Sequence, residues 1–260
     1  MSVKTWEKEL AEYRLFLIRM VDLVSVQKGV EYKESDHFGV MSLFFLSKQL
    51  THAKSILQLQ HSRDSILIAR SMFEGYFFLR WVQREPETRA LQWRAFELVH
   101  HWRILKAMPA EQVALEEYQS RLVETEEHLR EHEHLLLTEE AKGCKRRGEP
   151  LPLEPYLRWP PKKFIRILRA EDSLGDLGAL YSAQSAYHHW DIGSMARSHR
   201  REEGSIFYSS SNLEEETMAH VCALAALGET VLIVNDQFKN LLTDEVEKVL
   251  GEDFVKTLED

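Results

Sequence analysis

The stretch Ile68-Ala69-Arg70-Ser71-Met72-Phe73-Glu74-Gly75-Tyr76-Phe77-Phe78-Leu79-Arg80-Trp81 would be apolar on most of its surface as a helix, yet it carries Arg70 and Glu74 within that run. A helix that is apolar nearly all round is buried. That predicts that Arg70 and Glu74 lie inside the fold. Four residues apart, they share a face and can pair. A buried ion pair is costly, so its presence needs a reason, either structural or functional.

A core helix needs others around it, and helical periodicity supplies them on both sides. Upstream, residues 4–27 place Leu10, Tyr13, Leu17, Met20, Val21 and Val24 on one stripe, and residues 37–60 form a second helix. The core helix itself is expected over 63–84, with Ser62 as its N-cap. Downstream, Pro86 and Pro109 read as first-turn residues that start helices over 86–107 and 109–142. The second of these is strongly charged and reads as solvated on its outer face. A short helix over 161–170, a longer one over 174–190, one over 213–242 and a last one from Thr243 complete the set. Asn212 with Glu215 forms a capping-box-like start for the 213–242 helix. Residues 191–212 read as irregular, with a short extended piece at Ile206-Phe207-Tyr208.

Prolines divide this pattern. Pro150, Pro152, Pro155, Pro160 and Pro161, preceded by Gly143 and Gly148, predict a loop over 143–160. Around it the charge turns basic. Between 142 and 169 nine Lys or Arg face two acids, Glu149 and Glu154. Arg197, His199, Arg200 and Arg201 form a second basic group. Such a loop could hold phosphate or an acidic partner through Arg146, Arg147, Lys162 and Lys163, or balance the acidic 109–142 helix as a solvated segment.

Whole-chain composition bounds the function. Net charge is -9 over 260 residues, so no global basic field draws the protein to nucleic acid or an anionic membrane. Two cysteines, Cys144 and Cys222, form neither a disulfide framework nor a CxxC site. A reducing, cytoplasmic setting fits them. Met1 to Leu10 has no apolar signal-peptide core. Met218 to Val234, interrupted by His220 and Glu229, reads as a core helix rather than a membrane span. Neither a Walker sequence nor GxGxxG occurs, which argues against a nucleotide-binding α/β enzyme.

A second polar stripe lies in Tyr181-Ser-Ala-Gln-Ser-Ala-Tyr-His-His-Trp-Asp191. Tyr181, Ser185 and His189 follow i, i+4, i+8 spacing and stack on one helical face. Each can donate and accept hydrogen bonds, and the stripe could meet Arg70 and Glu74 across a helix interface as a shared polar site. The alternative is a satisfied hydrogen-bond network with no further role. The Arg-Ser-Met-Phe-Glu stretch, followed much later by Tyr-x3-Ser-x3-His, resembles a widespread bacterial family of helical proteins of unknown function. The resemblance covers these two segments and implies a shared polar site at Arg70, Glu74, Ser185 and His189. It implies no activity.

Two further patterns carry chemistry. Glu97-Leu-Val-His100 and Glu131-His-Glu-His134 have the Glu-x-x-His spacing of di-iron helical bundles, although the additional single glutamates are missing apart from Glu74. Arg94-x5-His100 and Arg121-x6-His128 resemble the Arg-polar-x-His motif of HEPN-type helical ribonucleases. They depart from it at the second position, where Ala95 and Leu122 stand.

The expected fold is all-α, a multi-helix bundle of roughly eight to ten helices with one long Pro-rich basic loop. Residues 1–260 read as a single helical domain, with 143–160 as the place for any two-lobed division. The favoured function is a non-catalytic interaction or ligand-binding protein built round a polar cluster of Arg70, Glu74, Tyr181, Ser185 and His189. A HEPN-like ribonuclease or hydrolase of a defence or toxin system and a metal-dependent helical-bundle enzyme are the alternatives. No cofactor, no metal site and no membrane partner is expected. Nucleic acid and self-association stay open.

Overall fold

A computed structural model describes residues 3–26, 30–59, 64–108, 116–158, 164, 166–167, 199–202, 205–208, 213–239 and 248–249. Among these residues the regular structure is helical apart from one two-stranded ribbon and an isolated bridge. The helices are α1 (Val3–Ser25), α2 (His37–Gln58), α3 (Ser65–Gln83), α4 (Pro86–Lys106), α5 (Glu116–Leu136), α6 (Glu139–Arg147) and α7 (Leu213–Phe238). Strands β1 (His199–Glu202) and β2 (Ser205–Tyr208) pair antiparallel, with Arg200 opposite Phe207. The extended piece expected at 206–208 is thus part of β2. Ser62, Pro109, Asn212, the 174–190 helix and the helix from Thr243 lie wholly or almost wholly outside the described residues, as does most of 161–170.

The chain gathers into two compact units, one of residues 1–83 with 164–260 and one of residues 84–163. In the first unit α7 packs against α1, α2 and α3, and α2 packs against both α1 and α3. Small residues make this approach close: Ala219, Ala223, Ala226 and Gly228 of α7 are buried beside Leu224, Leu227, Val231 and Val234. By length and composition α7 could cross a bilayer, but 72% of its most apolar stretch is buried within the fold, as a core helix requires. Two of its buried polar side chains turn back on the helix, Thr217 and Thr230 donating to the carbonyls of Leu213 and Ala226. At the start of α2, Asp36 caps Gly39 N at 2.8 Å and accepts from Gln237 Nε2 at 3.0 Å, which ties α2 to the end of α7.

The second unit is built on α4 against α5. Ala95, Val99 and Trp102 meet Leu129 and Leu136, with Phe96, Leu122 and Tyr156 around them. Pro86 opens α4 as expected. The helix expected over 109–142 is two helices. Thr138 interrupts it, accepting from Ala141 N at 3.1 Å as the N-cap of α6. The loop expected over 143–160 starts later for the same reason. Residues 143–147 are the last turns of α6, with Glu139 and Glu140 at its N-terminus and Lys145, Arg146 and Arg147 at its C-terminus. Both sets of charges complement the helix dipole and stabilise the helix. Gly148, at φ 69°, is the left-handed cap, and Glu149 N closes the motif on Cys144 O at 2.9 Å. Gly143 is a tolerated interior glycine, not a loop signal.

The proline segment beyond Gly148 is fastened down. Leu137 and Tyr156 form an isolated antiparallel bridge, with Leu157 N donating to Leu136 O at 2.7 Å and Thr138 N to Pro155 O at 2.9 Å. Arg103 Nη2 donates to the carbonyls of Tyr156 and Leu157 at 3.1 and 3.2 Å, and Arg103 Nε lies 3.4 Å from Glu154. The Tyr156 ring meets Trp102 edge-on at 5.1 Å.

Candidate functional site

Helix α3 buries Ala69, Met72, Phe73, Tyr76, Phe77 and Leu79, while Arg70, Ser71 and Glu74 fall on its half-buried edge. Arg70 Nε donates to Glu74 Oε1 at 3.0 Å. Their side chains are 13% and 30% exposed, so the pair lies at the margin of the interior and not within it as the apolar run implied. α3 packs on α2 and α7, and the faces those helices take leave the Arg70–Glu74 row only partly covered.

Beside this pair, α2 contributes residues that the sequence reading did not single out. His52 Nε2 lies 3.4 Å from Ser71 Oγ across the α2–α3 seam. One turn back on α2, buried Gln49 donates from Nε2 to Met72 O at 2.8 Å. The seam is close there because residue 75 is glycine. A Cβ at Gly75 would stand 3.3 Å from Gln49 Nε2. Burial, reinforced by Lys48, pushes the His52 imidazole below its ordinary value, so His52 is neutral near pH 7 and one ring nitrogen is an acceptor. Gln49 Oε1 is buried and makes no hydrogen bond within the described residues. A buried amide oxygen in that state is uncommon. Ser71 stands inside the Arg-Ser-Met-Phe-Glu motif and could have been chosen on that ground. His52 sits on an ordinary amphipathic stripe and gave no local signal.

Further along α3, Arg80 Nη1 donates to Tyr76 Oη at 2.6 Å and Tyr76 Oη donates to Glu229 Oε2 of α7 at 3.3 Å. Burial and then the Glu229 carboxylate push the Tyr76 phenol up, and Arg80 opposes them. Tyr181, Ser185 and His189 lie outside the described residues, as do Lys162 and Lys163.

In the second unit Arg146 lines an open hollow of about 630 Å³ with Glu133, His134, Leu137, Glu139, Lys142 and Lys145. Lys145 pairs with Glu133, and Lys142 with Glu139 at 2.9 Å. Arg147 turns to Glu149, with contacts of 2.8 and 2.7 Å. Of the four residues expected to hold phosphate, Arg147 is thus engaged by a carboxylate, Arg146 lines the hollow, and Lys162 and Lys163 lie outside the described residues. Among the described residues no group of three or more His, Cys, Asp or Glu is placed to hold a metal ion. Glu97, His100, Glu131 and His134 are all exposed. The two Arg–His pairs of the ribonuclease pattern are no closer to a site: Arg121 is exposed and donates to Glu117 at 2.7 Å, and His128 is exposed.

The Arg70–Glu74 motif and its α2 partners fall within the span of one recognised family. The sequence pattern of DUF5677, a family of unknown function, matches residues 40–206, more than half of the chain. The protein belongs to this family. No curated protein and no solved structure matches it. The DUF5677 span takes in α2 and α3, all of the second unit, and the Tyr181–His189 segment. It begins at the first turn of α2 and leaves α1 and α7 outside.

Proposed function

We propose that this DUF5677 protein is a cytoplasmic ligand-binding protein whose site is the polar ridge between α2 and α3. The observation that carries the reading is the half-buried Arg70–Glu74 pair on the same stretch of α3 as Ser71, which faces His52, on a helix otherwise given to the core. Here all four members of the two polar pairs are only half-buried, and Gln49 Oε1 adds an acceptor without a donor. The ligand class this suits is small and polar, with an acceptor for Arg70 and an N–H or O–H for Gln49. On the strength of their i, i+4, i+8 spacing, the reading adds Tyr181, Ser185 and His189 to the same site. The two free cysteines support the cytoplasmic placement.

Thermal-shift measurements against amino acids, N-acyl amino acids and nucleosides test this. A ligand present at about a hundred times its dissociation constant adds about 2.7 kcal/mol, a rise of several degrees. The shift should vanish in Arg70→Gln and shrink in Glu74→Gln. Equal shifts in wild type and Arg70→Gln would remove the ridge as the site.

A further inference from the structure

We infer that Ser71 and His52 form a nucleophile–base pair that accepts an acyl group from a small activated ester carrying an N–H beside its acyl carbon. The inference rests on the α2–α3 ridge being a ligand site and names the chemistry of that site. The two side chains come from different helices and meet at 3.4 Å. That is longer than a relaxed O–H···N contact, as is common for catalytic pairs before substrate tightens them. Both are half-buried, so neither is sealed from solvent. With the imidazole neutral, the Nδ1–H tautomer presents a lone pair at Nε2 to the serine hydroxyl, the arrangement that activates a weak nucleophile.

The neighbours select the substrate. Glu74 stands one turn from Ser71 on α3, its charge balanced by Arg70 at 3.0 Å, so this edge carries no net charge and suits a neutral carbonyl. Gln49 stands one turn from His52 on α2. Its Nε2 is committed to Met72 O, which fixes the amide orientation and leaves Oε1 as a buried acceptor. An acyl group bearing an N–H, as in an N-acylated amino-acid ester, supplies the missing donor. Ser71 Oγ bonds to the carbonyl carbon and the bond to the leaving alcohol oxygen breaks. The serine proton passes to His52 Nε2 and then to that oxygen. Water, losing a proton to His52, subsequently releases the acid and restores the hydroxyl.

The test treats the full-length protein with a fluorophosphonate–alkyne probe, in which Ser71 Oγ would displace fluoride from phosphorus. The adduct is located by peptide mass spectrometry. A second arm follows p-nitrophenolate release from p-nitrophenyl acetate and from N-acetylglycine p-nitrophenyl ester. The expected result is one adduct, on Ser71, falling to background in Ser71→Ala and at least tenfold in His52→Gln, with melting curves matching wild type. Ser71→Cys should still release p-nitrophenolate, and the N-acetylglycine ester should react faster than acetate in wild type. No adduct, an adduct elsewhere that survives Ser71→Ala, or labelling indifferent to His52→Gln overturns the dyad. If Ser71 is unlabelled while Arg70-dependent thermal shifts remain, the nucleophile is wrong and the binding site stands. Labelling without such shifts is the reverse.

Discussion

Replacing Glu74 with alanine withdraws the carboxylate from an Arg70 guanidinium whose side chain is 13% exposed. Were the pair fully enclosed, breaking it would cost about 3–5 kcal/mol. An exposed i, i+4 pair is worth about 0.3–0.5 kcal/mol. Glu74 is 30% exposed, so water reaches one end of the 3.0 Å contact and screens it, while the arginine end stays largely shielded. The cost should therefore fall between the two limits, at about 1–2 kcal/mol. Glu74→Gln keeps an acceptor at Oε1 and should cost about half as much. A double-mutant cycle with Arg70→Ala, followed by urea unfolding at low and high salt, isolates the pair from the packing lost with each side chain. The coupling should be favourable, below about 1.5 kcal/mol, and partly lost at high salt. A Glu74→Ala cost above about 3 kcal/mol would mean a sealed pair that water and ligand do not reach, and the ridge would be structural. Zero coupling would mean that the contact fixes nothing.

Acidification should destabilise the protein through buried imidazoles. His220 is fully buried on α7, with Nδ1 against Glu216 O at 2.9 Å, and burial holds it below its ordinary value of 6.5 despite Glu216, with Arg14 acting in the same direction as burial. The unfolded chain then binds a proton that the fold refuses. Stability is complete above pH 6.5, declines as pH falls below it, and levels off once the lowered folded value is passed. His52 adds in the same sense. Melting temperatures of wild type and His220→Leu across this range should show a shallower acid decline in the variant, and parallel curves would refute the assignment. Arg103→Ala removes two donors to the Tyr156 and Leu157 carbonyls, a loss of about 1–3 kcal/mol. Thermolysin should cut at Leu151 or Leu153 at least tenfold faster in the variant, and equal rates would mean that the strap is held without Arg103. Leu129→Ala, at a fully buried position, should cost about 2–5 kcal/mol, and Val123→Ala, 53% exposed, almost nothing. Similar costs would displace the α4–α5 core.

Periodicity made the long helices legible, because burying one stripe is what holds each of them in place. Leu10, Tyr13, Leu17, Met20, Val21 and Val24 are all buried on α1, as their spacing requires. Punctuation was harder to read. Gly143 and Gly148 look alike in the sequence, but only Gly148 takes a positive φ. The better signal was charge: two glutamates followed by four bases over 139–147, three of them in the last turn, describe a short helix complete with its dipole partners, and Thr138 before them is its cap. The proline segment was legible as non-helical but not as fixed. Its anchor, Arg103, lies some fifty residues away, and no local pattern announces a contact between a helix and a distant carbonyl.

The candidate site divides along the same line. Arg70 and Glu74 could be read because an i, i+4 pair is local, and their partial exposure could not, because exposure depends on which faces of α3 the neighbouring helices take. His52 belongs to the seam only through the packing of α2 against α3. That packing is set by Gly75, whose missing side chain admits Gln49, and by the buried amide contact to Met72 O. Without that close approach His52 would not reach Ser71. Gly75→Ala is thus a local change with a non-local reading. A Cβ at 3.3 Å from Gln49 Nε2 must push the helices apart by a few tenths of an ångström or expel the glutamine. The Ser71–His52 contact, already 3.4 Å, should then open. If the pair is a nucleophile and its base, Gly75→Ala loses fluorophosphonate labelling at Ser71 while leaving far-UV helicity unchanged. If labelling survives, Ser71 does not depend on His52 and the seam has no chemical role.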